Sequence, residues 1–128
     1  MEMKALFGAT FAAALLAVPA AAQAQQVGDW VLAPWQDSVQ VFPGVVSARS
    51  GNAVTIRFDD GTVETRLADE LRPFDWTTGT PVECQWTDGN WYAAHILMMG
   101  NDGLSMLVRY DEDGVEQKTR TGRCRSPN

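Results

Sequence analysis

Val54-Thr55-Ile56-Arg57-Phe58-Asp59-Asp60-Gly61 and Met106-Leu107-Val108-Arg109-Tyr110-Asp111-Glu112-Asp113-Gly114 are two versions of one phrase. Large apolar residues take alternate positions: Val54, Ile56 and Phe58 in the first, Met106, Val108 and Tyr110 in the second. Period two over this length is a strand with one buried face. Each copy ends in an aromatic and an acidic turn closing on glycine, which is hairpin composition. Finding the phrase twice, with matching flanks, makes it an internal repeat.

The flanks do match. Gly28-Asp29-Trp30-Val31-Leu32-Ala33-Pro34-Trp35 aligns without a gap on Gly79-Thr80-Pro81-Val82-Glu83-Cys84-Gln85-Trp86. After a one-residue slip, Phe42-Pro43-Gly44-Val45-Val46 aligns on Tyr92-Ala93-Ala94-His95-Ile96, and Leu71-Arg72 falls opposite Cys124-Arg125. Each unit is roughly fifty residues, the small end of what can hold a core. Within a unit the reading is a strand at Trp30–Trp35 stopping at Pro34, and a second from Val39 to Ala48 bent at Pro43-Gly44. The repeated strand follows, then Thr62–Arg66, one helical turn at Ala68–Leu71 and a short strand at Leu71-Arg72. Pro73 to Thr78 lacks the Gly/Ser character of a free linker and reads as a semi-rigid join with Trp76 packed between the units. Many short strands with turn signals indicate small barrels.

Residues 1–24 read differently. Lys4 precedes the uncharged apolar run Ala5–Val18, too short to span a bilayer, then Pro19 and the A-x-A site Ala22-Gln23-Ala24. This is the pattern of a secretory signal peptide cleaved after Ala24; the other reading is an uncleaved anchor. The expected protein is exported, in bacterial style, to the periplasm or medium. It would carry no transmembrane anchor after cleavage. Its units would span residues 25–75 and 76–128.

The net charge is −6 and stays so without the leader, which holds one lysine and one glutamate. That balance argues against nucleic acid, which needs a basic face. The local exception is Lys118, Arg120, Arg123 and Arg125, read as a solvated strand face and tail or as a contact for an anion or polymer. Both cysteines are in the second unit, Cys84 on its first strand and Cys124 on its last. These strands are neighbours in a closed barrel, so a Cys84–Cys124 disulfide is expected in an oxidising compartment; two buried free thiols are the alternative. With the single His95 the cysteines have no zinc spacing, so neither a metal nor a cofactor is expected.

Val31-Leu32-Ala33-Pro34-Trp35, Phe42-Pro43-Gly44-Val45-Val46 and Phe58-Asp59-Asp60-Gly61 together resemble the Tudor and agenet group of SH3-like barrels. Val82-Glu83-Cys84-Gln85-Trp86, Trp91-Tyr92-Ala93-Ala94 and Tyr110-Asp111-Glu112-Asp113-Gly114 repeat the resemblance, as does the ending Asp69-Glu70-Leu71-Arg72. It covers nearly all of the chain after residue 24. It implies an all-β fold of two tandem five-stranded SH3-like (Tudor-type) barrels. It also implies aromatic cages for methylated lysine or arginine, with walls Trp35, Phe42 and Phe58 in the first unit and Trp86, Tyr92 and Tyr110 in the second. The attraction is cation–π. Where methyl-reading members place a further aromatic in the third turn, these units have Asp60 and Glu112-Asp113.

Catalysis has little to stand on. His95 sits between Ala94 and Ile96 with no nucleophile motif, and Asp111 and Asp113 lack the remaining ligands of an EF-hand. Two classes remain, neither enzymatic. One is a binding module for a cationic or methylated group on a peptide, protein or small ligand. The other is an envelope adaptor whose aromatics are packing.

Overall fold

The computed structural model describes residues 25–127, so the expected export segment lies outside the described residues. The first unit runs Trp30–Pro34 (β1), Val41–Ser50 (β2), Ala53–Phe58 (β3), Val63–Leu67 (β4), a 3₁₀ turn at Ala68–Glu70, and Arg72–Pro73 (β5). The second runs Pro81–Gln85 (β6), Trp91–Met99 (β7), Ser105–Tyr110 (β8), Glu116–Arg120 (β9), a 3₁₀ turn at Thr121–Arg123, and Cys124–Arg125 (β10). The fold is all-β, two five-stranded antiparallel sheets with orders β4-β3-β2-β1-β5 and β10-β6-β7-β8-β9. In both, the last short strand returns beside the first, as the barrel reading required.

The repeat holds at the level of register. Val31 faces Gly44 and Gly44 faces Phe58; Val82 faces Ala94 and Ala94 faces Tyr110. The long strand of each unit slips register once, between Val46 and Ala48 and between Ile96 and Met98. This corrects the expected irregularity at Pro43-Gly44, which stays in register with β1. Gly44 serves close approach instead: a Cβ there would overlap Ile56 Cγ2. β2 also starts at Val41 rather than Val39, and β5 takes Arg72–Pro73 rather than Leu71-Arg72.

The turns have a common chemistry. A carboxylate accepts the backbone N–H two residues on: Asp60 from Thr62, Asp88 from Asn90, Asp102 from Leu104 and Asp113 from Val115, at 2.9–3.0 Å. This Asx arrangement mimics a backbone turn. Gly61 and Gly114 then take φ of 88° and 73°, where a side chain would be strained.

The alternating residues go inward as read. Val54, Ile56 and Phe58 join Val31, Ala33, Phe42, Val46 and Leu71 in one cluster. Met106, Val108 and Tyr110 join Val82, Ala94 and Ile96 in the other, which also takes in Leu32 and Val41 of the first unit and the buried Trp76. Thus β1 has two buried faces, Val31 and Ala33 toward its own core and Leu32 toward the second unit. Trp76 packs between the units, continuing the ring series Trp30–Phe74–Trp76 at centroid spacings of 5.4 and 5.5 Å.

Cys84 and Cys124 are directly opposed in β6 and β10, disulfide-bonded and fully buried. Their counterparts in the first unit are Ala33 and Leu71, joined only by packing. The cross-link closes a 40-residue separation, worth about 4 kcal/mol in the chain-entropy model. β10 is two residues long, and the disulfide is its only covalent tie to β6. Reduction is expected to lower the melting temperature through the second unit first, and the folded, unreduced protein should take up no thiol label. Circular dichroism melts with and without reductant, and alkylation followed by intact mass, check both; an unchanged melt on reduction would show that packing alone holds β10.

Candidate functional site

The ends of three second-unit strands converge on a pocket of about 490 Å³. Trp86 follows β6, Tyr92 is the second residue of β7 and Tyr110 the last of β8. Tyr110 is buried as the floor, 5% exposed, while Trp86 and Tyr92 are half-buried walls. Trp86 meets Tyr110 edge-to-face at 5.4 Å and 87°, and Tyr92 meets it at 6.4 Å and 86°. Asp88, Asp111, Glu112 and Asp113 stand at the rim, so aromatic faces and negative charge share one opening.

Hydrogen bonds orient these groups. Tyr92 donates its hydroxyl to Asp88 Oδ2 at 2.6 Å, and the Asn90 side chain donates to the same oxygen at 3.3 Å. The Tyr92 hydroxyl, followed by the Asn90 backbone amide, holds the Asp88 carboxyl below its ordinary 3.8. The same bond to Asp88 pushes the Tyr92 hydroxyl above its ordinary 10.0. Tyr110 donates to Gln117 Oε1 at 2.6 Å. Burial pushes the Tyr110 hydroxyl up, with the positive charge of Arg123 opposing. His95 Nδ1 lies 2.7 Å from Asp111 Oδ1 on the exposed face of β7, where it orders the rim.

The first unit's set lies elsewhere. Trp35, Phe42 and Phe58 do come together, with Trp35 and Phe42 5.4 Å apart. Trp91 of the second unit then meets Phe42 edge-to-face at 5.7 Å. The remaining space, about 240 Å³, is bordered by Gln85, Arg120, Gly122 and Arg123 of the second unit. Phe42 and Phe58 are each 6% exposed. This aromatic set therefore belongs to the seam between the units.

Half of the basic run makes that seam. Arg120 grips Asp59 through Nε and Nη2, the closest contact 2.6 Å. Arg125 donates to Glu83 at 2.9 Å and lays its guanidinium 4.3 Å from the Trp91 ring centre. Ser126 N–H donates to Val41 C=O at 3.0 Å, and Gln40 donates to Glu83 at 2.8 Å. Lys118 and Arg123 are exposed, and Arg123 donates to Gln85 Oε1 at 3.3 Å. Among the described residues no group of three or more His, Cys, Asp or Glu could hold a metal ion.

Sequence reasoning gave no role to Asp88 or Trp91. Asp88 has a visible signal, an aspartate four residues before Tyr92 across a tight turn. Trp91 has none, because its partners Phe42 and Arg125 are distant in sequence and on opposite units.

Two outcomes are expected. Tyr92→Phe removes the donor that depresses Asp88, so the Asp88 carboxyl should titrate higher, toward 3.8. The lowered value favours the folded state above pH 4, an effect lost as pH falls through the folded-state value; carboxyl NMR titration of wild type and variant reads the shift. Gly122→Ala would drive a Cβ into the Asp59 Cβ and Cγ, an overpacking cost of about 1–3 kcal/mol. Asp59→Ala breaks only an exposed ion pair, about 0–1 kcal/mol. Urea denaturation midpoints should rank Gly122→Ala below Asp59→Ala.

No family model matches the chain, and no curated protein matches it. Among solved structures it is similar to the tandem Agenet domain 3-4 of ADCP1, at 17% identity and a TM-score of 0.36, covering 84% of this chain and 83% of that one. It is likewise similar to AGD34 of Arabidopsis thaliana AGDP1, at 16% identity and a TM-score of 0.38, covering 84% of this chain and 85% of that one.

Proposed function

We propose that the protein is an exported, non-enzymatic binding module whose second unit takes a methylated ammonium group, on a peptide or small ligand, into the Trp86–Tyr92–Tyr110 pocket. Residues 1–24 are its export segment, residues 25–75 its first barrel and residues 76–128 its second. The observation that carries the reading is the convergence of three aromatic rings with carboxylates at an opening of about 490 Å³. A quaternary ammonium is weakly hydrated and attracted to the faces of Trp and Tyr. The disulfide and the hydrogen-bonded walls preorganise the pocket, which lowers the entropy lost on binding. An adaptor role, with aromatics as packing, fits the first unit's set, where Phe42 is closed against Trp91.

Binding is expected to be weak. An exposed cation–π contact contributes about 0.5–1 kcal/mol, so two or three of them contribute about 1–3 kcal/mol, less than the roughly 4 kcal/mol of a millimolar complex. Titration of trimethyllysine, dimethylarginine and choline, followed by tryptophan fluorescence, should saturate with wild type and fail with folded Trp86→Ala and Tyr110→Ala. Trp35→Ala should leave the titration unchanged. An equal response to 3,3-dimethylbutanol, the neutral isostere of choline, would make the rings packing and favour the adaptor.

A further inference from the structure

The aromatic pocket has a neighbour of opposite charge. A groove of about 450 Å³ is bordered by Gln85, Thr87, Gln117, Lys118 and Arg123, among others. Gln85 and Thr87 flank Trp86 in sequence, so one short extended segment borders both spaces. Gln117 and Thr119 sit opposite Val108 and Met106 in register. Directly opposed residues share a face of the sheet, so both point to the interior side, as Tyr110 does, and Lys118 between them points to the outer side. The Tyr110–Gln117 hydrogen bond of 2.6 Å is the partition between pocket and groove.

The cations of the groove are available. Among the described residues, neither Lys118 nor Arg123 is in an ion pair, whereas Arg120 and Arg125 are paired across or beside the seam. Arg123 donates one bond of 3.3 Å to Gln85 Oε1, leaving most of its guanidinium donors unused. Its charge reaches the floor of the pocket, where it opposes the burial of the Tyr110 hydroxyl. In a chain of net charge −6, an unpaired guanidinium next to an acidic aromatic pocket forms a local dipole.

We propose that the physiological ligand is a zwitterion, a trimethylammonium group tethered to a carboxylate or phosphate, with the cation in the aromatic pocket and the anion on Arg123. This rests on the cation-pocket reading above. The two charges must straddle the Trp86 and Tyr110–Gln117 partition, a span on the order of one interstrand spacing, roughly 5 Å. A tether of that length favours phosphocholine or a medium-chain trimethylammonio acid over trimethylglycine, whose charges are too close together. Charge-assisted bonds to the anion add to affinity, and the tether makes the second contact intramolecular.

The experiment is a calorimetric or fluorescence titration of the mature chain with choline, phosphocholine, trimethylglycine, 4-trimethylammoniobutyrate and 6-trimethylammoniohexanoate. Phosphocholine and the longer acids should bind about tenfold tighter than choline. That gain should disappear in Arg123→Gln, persist in Lys118→Gln, whose ammonium is on the outer face of β9, and shrink at 1 M salt, where the Debye length is about 3 Å. Choline should still bind both variants, slightly more tightly in Arg123→Gln, where a positive charge near the pocket floor is removed. Sedimentation with phosphatidylcholine vesicles identifies the source: binding to vesicles or to free phosphocholine, if lost in Arg123→Gln, supports the proposal. Equal affinity for choline and every zwitterion would overturn it and leave the cation pocket standing. No binding by any compound, choline included, would overturn both.

Discussion

Neither sheet covers itself. Each unit is five short strands, and at this size a chain buries too little surface to be comfortably stable alone. The solution is visible at β1, whose alternating side chains are buried on both faces because the second unit lies against Leu32 and Val41. Trp76 fills the joint, and the Asp59–Arg120 and Arg125–Trp91 contacts sit around it. The ion pair is exposed and contributes little by itself. The buried apolar contact supplies the main stabilisation, and the charges fix how the two surfaces meet. Gly122 is needed for the same reason, since the seam closes to within a side chain's thickness at Asp59.

That constraint explains why two copies of one pattern have diverged. Equivalent positions do different work. Phe42 is pressed between Trp35 and Trp91, whereas its counterpart Tyr92 stands at an open wall with its hydroxyl on Asp88. Asp59 ends in the seam with Arg120, whereas Asp111 stands at a pocket rim beside His95. Phenylalanine suits the closed site because it brings no hydroxyl to satisfy; tyrosine suits the open one because its hydroxyl finds a partner. The first core is held at Ala33 and Leu71 by packing within its own cluster, and the second core at the same place by a disulfide.

What could be read from the sequence follows the same division. Strand identity, the inward residues and the Cys84–Cys124 pairing were legible because they depend on period and order within one unit. Trp76 was legible because a buried aromatic in a short join has few places to go. The bend at Pro43-Gly44 was misread: glycine there allows Ile56 to approach, and the slip in register falls at a position the second unit shares. The rest of the seam was not legible. Asp59 and Arg120 are 61 residues apart, and the four basic residues at the C-terminus look alike until geometry assigns Arg120 and Arg125 to partners. The two aromatic triplets already differ in sequence, with Phe42 and Phe58 in one against Tyr92 and Tyr110 in the other, but the closure of the first by Trp91 was not legible.

The acidic rim shows how local hydrogen bonding shapes what a charged site can recognise. Asp88 contributes charge to the pocket, but its oxygens already accept from Asn90 N–H, the Asn90 side chain and the Tyr92 hydroxyl. Asp113 accepts from Val115 N–H, and Asp111 is held by His95. A ligand bearing N–H groups gains most from carboxylates that still have free acceptor sites; a quaternary ammonium has no N–H and loses nothing by their absence. On the proposed reading, these carboxylates act chiefly through their field and through the turns they build, while the aromatic faces make the contact. The repeat's acidic turn is in the first place a device for closing a hairpin. At β8 its position beside three aromatic rings turns the same carboxylates into the negative rim of a pocket.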